Sequence, residues 1–277
     1  MSRAEYQGYP PNPLRLMRCL LLFCVLPGVV ACHMPEGSEP RATDVSQSPV
    51  LPLSGLEFQS VDVQQLQADD FANPGMLWVD RGAALWTVAE DDRSCADCHG
   101  EAERSLRGAA ASLPRVRDGQ LVNLEGQINR CRERQGRADL AYDSEMMLAL
   151  SAYVAHQSRG MPRSVAISGD AQPFWARGRD YFYARRGQLD LACAHCHESY
   201  VGRQLRGDRL SQGQSNGYPL YRLEWQGLGS LHRRLQFCNT GVRAQPFAAG
   251  AQPYLDLELY LAWRGAGLSV EAPAVRR

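Results

Sequence analysis

Residues 95–99 read CADCH, and residues 193–197 read CAHCH. Both are Cys-x-x-Cys-His runs, the attachment signature of c-type haem. Two thiols at this spacing meet the two vinyl groups, and the adjacent histidine reaches the iron from one face. A single run also fits zinc or thiol redox chemistry, but two in one chain with only six histidines set zinc aside. The expected cofactors are therefore two covalently bound haem c groups, held by Cys95 and Cys98 and by Cys193 and Cys196, with His99 and His197 as iron ligands.

The rest of the composition narrows the setting. The chain has 277 residues, 44% of them hydrophobic, and a formal net charge of zero, which suits two small globular domains. Without a charge-rich tail or basic excess, no nucleic-acid partner is expected. All 30 basic residues are arginine, so neither a P-loop lysine nor a Schiff-base lysine exists. Codon bias accounts for the missing lysines. Arg3, Arg15 and Arg18 precede an apolar run from Leu20 to Ala31 that is shorter than a bilayer span. Residues 1–31 are read as a signal peptide and the mature protein as exported. Val29-Val30-Ala31-Cys32 also has the shape of a lipoprotein cleavage box, which would make Cys32 a lipid anchor; ordinary signal cleavage nearby is the alternative. Residues 32–54, rich in Pro, Ser and Gly, read as a flexible tether.

Of nine cysteines, Cys19 and Cys24 lie in the leader and four lie in the motifs, leaving Cys32, Cys131 and Cys238. Each iron needs a ligand opposite its histidine, ordinarily Met or His. No methionine follows Met161, so the second half offers His232 and Cys238, because His195 is trapped in the attachment loop. The first half offers Met146, Met147, His156 and Cys131.

A repeat separates these candidates. Leu124 and Ile128 precede Cys131 by seven and three residues, and Leu231 and Leu235 stand at the same distances before Cys238. Leu148, Leu150 and Tyr153 follow Cys131 by 17, 19 and 22 residues; Leu255, Leu257 and Tyr260 repeat those intervals after Cys238. Upstream, WVDRGAALW (78–86) and WARGRDYFY (175–183) read as matching amphipathic helices. The expected fold is mainly α, with low regular secondary-structure content: two tandem cytochrome c domains related by internal duplication, covering residues 55–160 and 161–277. Each would consist of an opening helix, the motif, a long loop and a closing helix. Cysteine occupies the same place in both copies, which assigns Cys131 to the first iron and Cys238 to the second. A disulfide between Cys131 and Cys238 is the competing arrangement. His232 has Glu125 at its counterpart position and reads as a surface or hydrogen-bonding residue.

A thiolate ligand donates charge to ferric iron and lowers its potential, which suits a simple electron shuttle poorly. Arg233, Arg234 and Arg243 surround Cys238 and would favour a thiolate or bind an oxyanion, although exposed arginines are also common. The stretch LRGDRLSQGQSNGYPLYRLEWQGLGSLHRRLQFCNTGVRAQPF (205–247), with LVNLEGQINRC (121–131), resembles the SoxA family, the dihaem subunit of the SoxAX cytochrome of bacterial sulfur oxidation. The resemblance spans residues 55–265. It implies L-cysteine S-thiosulfotransferase activity in the periplasm: thiosulfate is joined oxidatively to a cysteine of the carrier SoxYZ, and the electrons pass to the monohaem partner SoxX. It also implies axial pairs of His99 with Cys131 and His197 with Cys238, a catalytic role and persulfide on Cys238, and substrate contact by Arg234. The alternatives are a dihaem thiosulfate dehydrogenase that forms tetrathionate and a pure electron-transfer cytochrome.

Overall fold

The computed structural model describes residues 51–277 except residue 91. The leader, Cys32 and nearly all of the expected tether therefore lie outside the described residues. The described chain begins with a 3-10 turn, Gly55–Phe58, capped by the buried Ser54 side chain, followed by α1 (Val61–Ala68).

Helix α2 (Met76–Thr87) leads to α3 (Cys95–His99), the short α4 (Ala102–Ser105), and a hairpin of β1 (Arg115–Arg117) and β2 (Gln120–Val122). Next come α5 (Leu124–Glu133) and α6 (Glu145–His156). The second half runs in the same order. Helix α7 (Gln172–Tyr183) precedes a π-helical turn, His195–Ser199, in which the second motif ends. A small hairpin, β3 (Gln204–Leu205) with β4 (Asp208–Arg209), is followed by a second one, β5 (Leu220–Arg222) with β6 (Gly227–Gly229). Then come α8 (Leu231–Gly241), α9 (Gln252–Arg264) and β7 (Ala274–Arg276), which lies parallel to β5.

Local chemistry explains the element starts. The Asn123 side chain accepts from Gly126 N at the head of α5, and Ser230 accepts from Arg233 N at the head of α8. Both caps stand eight residues before a cysteine, Cys131 or Cys238. Such a cap satisfies an amide that the first helical turn would leave bare, worth about 1 kcal/mol. Helices α6 and α9 each begin 14 residues after those cysteines. Pro173 and Pro253 sit in the first turns of α7 and α9, where the missing N–H costs nothing.

Two helix pairs form the core. Val79 and Trp86 of α2 pack on Leu148, Ala152 and Tyr153 of α6. Trp175 and Phe182 of α7 pack on Leu257, Tyr260 and Leu261 of α9. Each such apolar side chain contributes about 1.5–3 kcal/mol on burial. In both pairs a glycine lets the backbones touch: a methyl on Gly82 would overlap the Ala149 carbonyl, and one on Gly178 would overlap that of Asp256.

The expected long loops are more ordered than the sequence suggests. Nine α-helices and seven strands occur among the described residues, and each loop after a motif contains a β-hairpin and a third helix. These hairpins steer the chain straight into the helices that carry Cys131 and Cys238. None of the described helices is long and apolar enough to cross a membrane.

Candidate functional site

The first motif forms a helical turn because Ser94 and Asp97 cap it reciprocally, each side chain bonding the other's backbone N–H. Beside it, the Trp86 indole donates to the Gly100 carbonyl at 2.9 Å and lies 5.6 Å from the His99 ring. Cys131 is half-buried on α5 and receives a 3.5 Å contact from the Gln127 amide. Arg132 bonds the Glu90 carboxylate, and Arg137 reaches the Glu90 and Arg93 carbonyls, so the segment before the motif is tied to the cysteine-bearing helix. Burial pushes the Cys95 thiol up; Arg137 opposes that rise, and the charge of Cys131 adds to it. The motif thiol and Cys131 therefore share one neighbourhood.

The second cluster is deeper. His197 donates from Nδ1 to the Ser211 carbonyl at 2.8 Å, because a carbonyl can only accept. That bond directs the Nε2 lone pair outward as a ligand. Burial drives the His197 pKa down to about 4, partly offset by the Ser211 bond, so the ring is neutral and ready to coordinate. Gly213, at φ +71°, presses on this ring; an added Cβ would lie 2.8 Å from the His197 Cγ. Burial pushes Cys193 up to about 11, with the Cys238 charge as the next cause, and Cys196 rises for the same two reasons. Cys238 thus lies within electrostatic reach of both attachment thiols. Cys131 and Cys238 are each free, so no disulfide joins them.

The three neighbouring arginines divide. Arg233 lies over the Trp225 ring at 4.4 Å, and Arg243 is exposed. Arg234 is mostly buried, and its Nη1 has no protein partner. Burial by itself would lower the Arg234 pKa, but the nearby Cys238 charge and Tyr218 reverse the shift and hold it above the ordinary value. A buried guanidinium with a spare donor beside a cysteine sulfur is built to receive an anion.

His232 is not at the surface. It is 1% exposed; its Nδ1 accepts from Gly250 N at 2.8 Å and its Nε2 faces Glu258 at 3.1 Å, leaving no nitrogen for iron. His195 likewise spends its Nδ1 on the Ala192 amide. Met147 is fully buried in the α6 core. Sequence reading passed over Ser211, Gly213, Tyr218 and the Glu90 anchor. Only the glycine within QGQSNG, at a φ that favours glycine, carried a signal for any of them.

A neutral histidine with one nitrogen fixed by a carbonyl, two thiols within electrostatic reach of a third, and an unpartnered buried cation fit a covalently attached haem c. The chain is a c-type cytochrome: residues 81–163 match the family described as "SoxA/TsdA, cytochrome c domain". It is 43% identical over 231 residues to the L-cysteine S-thiosulfotransferase subunit SoxA of Pseudaminobacter salicylatoxidans, covering 81% of each chain. Against the subunit of that name from Rhodovulum sulfidophilum it is 45% identical, covering 80% of this chain and 79% of the other. The crystal structure of SoxXA from P. pantotrophus superimposes with a TM-score of 0.79 at 41% identity, over 82% of this chain and 87% of that one. The chain belongs to the SoxA family of L-cysteine S-thiosulfotransferase subunits.

Proposed function

We propose that the chain is the catalytic subunit of a periplasmic enzyme that conjugates thiosulfate to a cysteine of the carrier SoxYZ, and that Cys238 and Arg234 form its reaction site. The observation that carries this reading is the unpartnered Nη1 of buried Arg234, one helical turn before a cysteine within electrostatic reach of Cys193 and Cys196. Arg234 would hold the thiosulfate anion, orienting its terminal sulfur toward the sulfur on Cys238. The carrier thiol loses its proton, a sulfur–sulfur bond forms to thiosulfate, and two electrons leave. Bound haem c supplies the acceptor for those electrons, which continue to a SoxX partner.

Two haem c groups are proposed, one attached at Cys95 and Cys98 with His99 and Cys131 as axial ligands. The other is attached at Cys193 and Cys196 with His197 and Cys238. The repeated order of helix, motif, hairpin, cysteine helix and closing helix supports descent from one duplicated unit, with domains at 55–160 and 161–277.

Intact-mass analysis of the carrier after incubation with thiosulfate, SoxX and the holoprotein tests the assignment. Cys238→Ala should abolish the added thiosulfate group, and full conjugation by that variant would refute it. Arg234→Ala should raise KM about tenfold or more, the equivalent of losing one charge-assisted hydrogen bond. Tetrathionate formed without any carrier would favour the thiosulfate dehydrogenase reading instead.

A further inference from the structure

At the first turns of α5 and α8, against α9, lies a cavity of about 30 Å³, room for one or two waters, that the sulfur chemistry does not use. Glu125, from the first turn of α5, and Glu258, from α9, both line it. Glu258 accepts from Asn123 at 2.9 Å and pairs with His232 at 3.1 Å, both through Oε2, so it has two side-chain partners. His232 accepts a backbone N–H at Nδ1 and is therefore a neutral ring donating from Nε2. Arg163 also lines it; it donates from Nη2 to the Leu113 carbonyl, and its Nε, buried, has no partner. The Ser215 hydroxyl, also on the wall, is buried without a partner as well.

Two carboxyl groups face one guanidinium here, and neither carboxyl forms a direct ion pair with it. Two carboxylates against one guanidinium leave an uncompensated negative charge away from water, which is costly, and protonating one carboxylate removes the imbalance. Glu125 is the member whose ionised form lacks side-chain donors. We propose that this cavity is an internal proton-binding site, in which Glu125 holds a proton and is bridged by bound water to Arg163 and Ser215.

The surrounding charges agree. Burial pushes the Glu125 pKa up to about 7, and the neighbouring charges of Glu258 and Asp143 add to the rise. Tyr142, stacked on His232 at 5.1 Å, donates to Asn123, and burial with Glu125 and Glu258 nearby raises its own pKa, so it stays neutral. Tyr218 completes the wall, and its phenol is within electrostatic reach of Arg234 and Cys238. The site's position gives it a role. Glu125 and His232 occupy equivalent places, each six residues before a cysteine, so the first turns of both cysteine-bearing helices meet at this proton. Its loss would place a bare carboxylate at their joint.

Infrared spectroscopy of the full holoprotein as a function of pH tests the site directly. A protonated-carboxyl carbonyl band should be present at pH 6, decline with a midpoint near neutrality, and be missing in Glu125→Gln. Absence of the band at pH 6, or its persistence in that variant, would overturn the assignment. Should Glu125→Gln fail to fold, Ser215→Ala serves: removing the hydroxyl that shares the water should shift the band in frequency, and an unmoved band would count against the site.

Discussion

Gly213 offers the sharpest test of how the second histidine is seated. Replacing it with alanine imposes two separate penalties. A non-glycine residue at φ +71° costs about 1–2 kcal/mol in the left-handed region. The new methyl would also sit 2.8 Å from the His197 Cγ and 2.9 Å from its Nδ1, well inside ordinary carbon contact. Relieving that overlap must turn the ring or shift the loop, and either move strains the bond to Ser211. Overpacking of this kind costs about 1–3 kcal/mol, so the sum is about 2–5 kcal/mol. Gly202 is an internal control: it has φ +81°, and an added methyl would meet nothing within 4 Å. Gly202→Ala should therefore lose only the backbone part. Thermal unfolding followed by circular dichroism should show Gly213→Ala melting lower than Gly202→Ala by several degrees, at about 2–4 °C per kcal/mol for a chain of this size. The absorption spectrum of the haem proposed beside His197 should change in the former alone. Equal melting losses in the two variants would mean that the glycine serves the turn and not the imidazole.

Further outcomes are expected elsewhere. Gly82→Ala and Gly178→Ala should each destabilise the protein by about 1–3 kcal/mol in chemical denaturation, despite alanine's better helix propensity, because the methyl meets a backbone carbonyl. Asn239 donates to the Tyr254 hydroxyl at 3.0 Å and to the Leu235 carbonyl at 2.9 Å, and accepts from Tyr181. Asn239→Ala would strand those buried groups beside Cys238 at a cost of about 1–3 kcal/mol, again read by denaturation. The raised pKa of Glu125 stabilises the fold fully below pH 4.5 and loses that contribution as pH climbs through about 7. Unfolding free energy should thus fall by up to about 3 kcal/mol across that window relative to Glu125→Gln, in which this component of the pH slope disappears.

The motifs and the matching helices around Cys131 and Cys238 were legible because they rest on covalent spacing and on apolar residues at fixed intervals. The caps at Asn123 and Ser230 fall on the same register, which is why the alignment around Cys131 and Cys238 extends into matching helices. The hairpins were not legible. Strands of three residues are too short to display alternation, and β7 joins β5 from more than fifty residues away. The meeting of Glu125 with His232 was equally hidden. Their equal distances from the cysteines were visible, but an acid aligned with a histidine looked like a broken match, and only packing reveals that the two positions converge on Glu258.

The bare crossings at Gly82 and Gly178 have an evolutionary corollary. Where main chain rests on main chain, the separation between opening and closing helices does not depend on the bulk of the surrounding side chains. Neighbouring core positions are then free to drift between homologues of differing hydrophobic composition, and the scaffold that holds both motifs keeps its dimensions through that turnover.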